Sequence, residues 1–73
     1  MSNVINDDLI RLRSEDYWGW LTSREKSVES ALAYIEAQQE RYMAALSDRN
    51  WNRANDSLFE IEATKLAIRN LDP

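Results

Sequence analysis

The chain reads as an all-α protein: a long antiparallel two-helix hairpin preceded by a shorter helix, in a three-helix bundle-like arrangement. Three observations carry this. Its 73 residues contain one Gly and one Pro, so turn punctuation is almost missing. Long stretches rich in Ala, Leu, Glu, Gln and Arg favour helix. No run alternates apolar and polar residues with the period of two that a half-buried strand requires.

The first element is predicted over 7–18. Asn6 suits an N-cap, and Asp7 and Asp8 place carboxylates in the first turn, where the helix dipole favours them. Leu9, Ile10, Leu12 and Tyr17 supply its apolar side chains. Gly19, the sole glycine, stands where a helix would end in the left-handed conformation.

A second helix is predicted over 22–47. Thr22-Ser23-Arg24-Glu25 has the pattern of a capping box, in which the hydroxyl takes an orphan amide and the Glu reaches back. Leu21, Val28, Leu32, Ile35, Tyr42 and Leu46 then recur at spacings of three, four and seven. That periodicity describes one face of a helix roughly 36 Å long. Glu25 and Gln39 are polar intrusions on that seam.

Ser47-Asp48-Arg49-Asn50 breaks the pattern and offers several capping side chains. The third helix is predicted over 51–70. Trp51, Ala54, Leu58, Ile61 and Ile68 form its seam, with Lys65 as a polar member. Phe59, Ala63 and Leu66 lie about 100° round, so this helix should have two neighbours. Helices two and three match in length across a short loop, which predicts antiparallel pairing. Leu46 would lie near Trp51, Ile35 near Ile61 and Val28 near Ile68. The first helix, or a second copy of the chain, would cover Phe59 and Leu66.

A chain of this length makes a single domain over 1–73 and buries only about 60% of its unfolded surface. Small domains commonly add disulfides, a metal or a second subunit. With no Cys and no His, neither a disulfide nor a zinc site with its preferred ligands can form. Dimerisation or higher self-association is therefore expected. The opening residues have no basic region and no apolar run of signal-peptide length, and nothing approaches the ~20 apolar residues of a membrane span. A soluble, cytoplasmic protein without membrane contact is the expectation.

The formal net charge is −4. Residues 1–20 and 21–48 each carry −2, and 49–73 balance. An acidic surface disfavours bulk attraction to nucleic acid. Catalysis is also disfavoured: the commonest general base and the strongest nucleophile are missing, no glycine-rich phosphate loop occurs, and no catalytic residue is assigned. The Glu-x-x-His pattern of helical di-iron sites is missing too. No metal or cofactor is expected.

Three constellations remain. Tyr17, Trp18 and Trp20 crowd large rings around Gly19; Trp, Tyr and Arg dominate interface hot spots, although the same rings could close the end of a small core. Tyr17 and Trp18 point about 100° apart, so at least one of the two tryptophans should stay partly exposed. At the hairpin tip, Arg49, Trp51 and Arg53 stand among asparagines. They form a candidate protein contact and a weaker candidate for phosphate and base contacts, whereas the plainer expectation has Trp51 capping the core. Glu25, Glu29, Glu36 and Glu40 fall within about 60° of helix two. They form either a solvated edge that tunes pairing or a row of phosphate surrogates.

These features point to a non-catalytic protein–protein interaction module. It would act as a regulator or inhibitor of a larger protein, or as a homo-oligomeric assembly component. The alternative is a phage-encoded acidic nucleic-acid mimic that blocks a DNA- or RNA-binding protein.

Overall fold

A computed structural model describes residues 7–23 and 26–71. It contains α1 (Asp7–Thr22), α2 (Ser27–Ser47) and α3 (Trp51–Leu71), and no strand occurs among the described residues. The helices form a compact three-helix bundle-like fold. α3 is central: α1 and α2 both pack along it and touch each other far less. The Cα radius of gyration is 12.9 Å, against about 11 Å for a spherical chain of this length, so the bundle is elongated and retains much surface.

α1 begins as expected with Asp7 and Asp8 in its first turn; Asn6 lies outside the described residues. Its end differs from expectation. The helix runs straight through Gly19, which does not adopt positive φ, and stops at Thr22. A mid-helix Gly costs about 1 kcal/mol. The extra turn offsets this by delivering Leu21 to the core, where it is 4% exposed and where burial of such a side chain is worth about 1.5–3 kcal/mol. The last carbonyls of α1 are then taken locally: Thr22 Oγ1 donates to Gly19 O and Ser23 Oγ to Trp20 O.

The capping box is likewise revised. Thr22 belongs to α1, Glu25 lies outside the described residues, and α2 starts five residues later than 22, at Ser27. Its N-cap is Lys26, in left-handed backbone (φ 55°) with no side-chain capping bond. The start is fixed instead by Ser27, which is buried and donates its hydroxyl to Leu21 O at 2.5 Å.

The turn between α2 and α3 uses the residues expected of it. Arg49 sits in left-handed backbone, its N–H reaches Leu46 O, and the Asn50 N–H reaches Ala45 O. That pair of bonds is a Schellman motif. Asn50 then caps α3, its Oδ1 accepting the Arg53 N–H at 3.1 Å.

The seam of α2 is turned away from the expected one. Its buried residues are Ser27, Ala31, Ile35, Gln38 and Ala45, spaced 4, 4, 3 and 7. On α3 the buried set is Ala54, Ser57, Ile61, Ala63, Thr64 and Ala67. Small residues on both helices let the backbones approach closely. The buried hydroxyls of Ser14, Ser27 and Thr64 are all satisfied by main-chain carbonyls. Of the seam residues expected on α2, Ile35 is buried, Tyr42 and Leu46 are half-buried, and Val28 and Leu32 are exposed. Gln39 faces solvent and its neighbour Gln38 is buried instead; Lys65 is exposed and pairs with Glu62 at 3.6 Å. Trp51 does not cap the core: it is 56% exposed. Phe59 and Leu66 are half-buried on α3, against which α1 packs.

Candidate functional site

The outer face of α2 carries the most organised surface. Val28, Leu32 and Met43 are all exposed, and at about 100° per residue they fall within about 60° of one another. Glu29, Glu36 and Glu40 are exposed as well. Their row lies about 70° further round, so an apolar stripe, interrupted by the exposed Gln39, and an acidic stripe run side by side along the helix. None of the three glutamates forms an ion pair among the described residues. Glu25, the fourth member of the expected row, lies outside the described residues.

The aromatic group around Gly19 separates. Trp18 is exposed beside Ser14, Glu15 and Asn70. Tyr17 and Trp20 turn the other way and pack against the cluster of Leu21, Ala31 and Ala67. Continuous helix through Gly19 explains the split, since residues 17 and 20 share a face and 18 does not.

Tyr17 belongs to a polar clamp that joins all three helices. Glu60 of α3 accepts hydrogen bonds from the Tyr17 hydroxyl of α1 and, at 3.1 Å, from the Tyr34 hydroxyl of α2. The two hydroxyls are 3.2 Å apart. Arg13 of α1 approaches Glu60 at 3.4 Å and Asp16 at 3.6 Å, and its guanidinium lies 4.8 Å from the centre of the Tyr17 ring. Burial, followed by the bonds to Glu60 and Tyr34, holds the Tyr17 phenol well above its ordinary pKa. The clamp was not visible in the sequence. Arg13 and Tyr17 are four residues apart, a recognisable helical pair, but Glu60 is 43 residues from Tyr17 and 26 from Tyr34, and no local pattern announces that meeting.

Two concavities flank the clamp. On one side, between α2 and α3, a polar groove of about 750 Å³ runs toward the tip, with Arg41 and Arg53 set among Asp48, Asp56 and Glu60. On the other side, where α1 and α2 diverge, an apolar cleft of about 420 Å³ is walled by Tyr17, Trp20 and Tyr34 over Leu21, Ala31 and Thr64.

At the tip, Arg49 and Trp51 share a shallow surface with Asp48, Asn50 and Asn52. Arg53 faces the polar groove instead, so the three tip residues do not form one patch. No cluster of three or more acidic side chains close enough to hold a metal ion occurs among the described residues. Among the described residues no helix is long and apolar enough to cross a membrane. No family model, curated protein or solved structure matches the chain, and its function is therefore argued from these surfaces.

Proposed function

We propose that the protein is a non-catalytic, cytoplasmic protein–protein interaction module that binds through the outer face of α2. Its partner would be a larger protein that presents an amphipathic segment with basic residues beside an apolar ridge. The observation that carries this reading is the apolar stripe of Val28, Leu32 and Met43 running beside Glu29, Glu36 and Glu40, which form no ion pair among the described residues. Val28 and Leu32 have the i, i+4 spacing of anchors in helix recognition, Met43 extends the same face three turns on, and charges along the edge of an apolar strip select partner and register. Two copies joined through this face would bring like-charged rows together, which favours a basic partner over self-pairing here. Trp18 and Trp51 are exposed on other surfaces and serve as secondary contacts.

A second reading keeps the same glutamates but drops the apolar stripe: the acids act alone as phosphate surrogates on a nucleic-acid-binding protein. The interleaving of Asp48, Asp56 and Glu60 with Arg41 and Arg53 supports neither reading's opposite, direct nucleic-acid binding by this chain. The test is capture from native lysate by wild type, by Leu32→Ser/Met43→Ser and by Glu29→Lys/Glu36→Lys, with helicity checked in each. A partner lost by both double variants supports the combined face. Loss with the charge reversal alone supports the mimic. A partner retained by both variants refutes binding through α2.

A further inference from the structure

The cleft between α1 and α2 has the chemistry of a cation site, and we infer that it binds a small organic cation of the quaternary ammonium class. It lies on the opposite side of α2 from the proposed docking face and is independent of it. Its volume, about 420 Å³, lies within the roughly 300–1,000 Å³ of small-molecule sites. Tyr17 and Tyr34 line the cleft side by side, their ring centres 5.9 Å apart and their planes tilted by 46°, and Trp20 lines it as well. The negative π faces of such rings attract a cation, most strongly one that is easily desolvated.

The polar groups around the cleft exclude other ligands. Both phenol hydroxyls are engaged by Glu60, so the walls present rings rather than donors. Donation to a carboxylate also polarises each ring toward greater electron density. Asp16 stands at the rim, and no Lys or Arg lines the cleft among the described residues. Arg13 is shared between Asp16 and Glu60, which leaves one negative charge in excess beside the cleft. Arg13 itself lies against Tyr17 but lines the polar groove rather than the cleft. That ring therefore already holds one cation, and its cleft side is not covered by that guanidinium. An anion would meet carboxylate and π density; a neutral polar ligand would find few partners.

The experiment is a titration of the intact chain, followed by the ring NMR signals of its aromatic residues. The probes are benzyltrimethylammonium, its neutral carbon isostere neopentylbenzene, and benzoate. The cation should bind saturably, shift Tyr17, Trp20 and Tyr34, and bind roughly tenfold more tightly than the isostere. Asp16→Asn should weaken it roughly threefold by removing the excess charge. Ser30→Phe, at an exposed rim position, should block the cleft while leaving the helical spectrum unchanged. Equal affinity for the isostere, shifts confined to the rings of Trp18, Tyr42, Trp51 and Phe59, undiminished binding by Ser30→Phe, or the lack of saturable binding would each overturn the assignment.

Discussion

Glu60 accepts from a hydroxyl on each of the other two helices, and its removal tests whether the clamp holds the bundle together. In Glu60→Gln the shape is kept, one oxygen can still accept, and the charge is gone. Glu60 takes two phenol hydrogen bonds and the Arg13 guanidinium. Hydrogen bonds to a charged group contribute about 1.5–3 kcal/mol when buried, but the carboxylate keeps 22% of its exposure, and solvent screens the ion pair to well under 1 kcal/mol. A loss of about 1.5–2 kcal/mol is expected for Gln, and about 3 kcal/mol for Ala, which also strands the two hydroxyls. For a domain of this size that corresponds to a fall in Tm of roughly 8–15 °C for the Gln variant. The assay is urea and thermal unfolding followed by helical circular dichroism. A cycle with Tyr34→Phe should show coupling above about 0.5 kcal/mol, as residues sharing one network do. A loss below about 0.5 kcal/mol with no coupling would mean that the small-residue interfaces alone hold α1 and α2 on α3.

The backbone suggests two stabilising substitutions. Gly19 lies within α1 with no neighbouring atom within 4 Å of an added Cβ, so Gly19→Ala should raise stability by about 1 kcal/mol, measured as a shift in urea midpoint. Arg49, at φ 56° in the Schellman turn, occupies the position that glycine prefers, and Arg49→Gly should gain about 0.5–1 kcal/mol; a loss would show that its side chain supports the tip. The third concerns pH. Tyr17 keeps its proton in the fold at a pH where the unfolded phenol, near 10, has lost it. Its contribution is therefore complete below pH about 10 and declines above it, by at most about 1.4 kcal/mol per pH unit, and by less because the residue is only partly buried. Tyr17→Phe should be less stable at neutral pH, and its curve should be flatter between pH 9 and 11; equal slopes would refute the assignment.

Helix class was legible because it depends on local residues. α3 starts at Trp51 as expected, since Asn50 is a cap whose signature is written in the chain. The end of α1 was not legible, because a lone glycine signals a stop only if nothing downstream is worth burying, and Leu21 was. The start of α2 was hidden for a related reason: Lys26 in left-handed backbone and Ser27 reaching back to Leu21 O follow no capping pattern. The seam was misplaced because periodicity was read from the largest apolar residues. The Ser27, Ala31, Ile35, Gln38 and Ala45 row has the same period, but its small side chains carry little hydrophobic signal while permitting the closest helix approach.

That exchange of faces bears directly on function. If Val28 and Leu32 had lain in the core seam, as the periodicity predicts, their apolar character would need no partner. As it stands, the interior is closed by Leu21, Ile35 and Ile61 together with Ala, Ser and Thr, while Val28, Leu32 and Met43 keep 38%, 50% and 63% of their surface. Met43→Ser should leave unfolding within about 0.5 kcal/mol of wild type, and Leu32→Ser, at a half-exposed position, should cost about 1 kcal/mol. A loss of 2 kcal/mol or more would place them against packed atoms and remove the argument for a docking face. An unchanged fold would separate stability from binding on the same helix. The buried row of α2 would then account for its attachment to α3, and the exposed row would be left with recognition as its physical role.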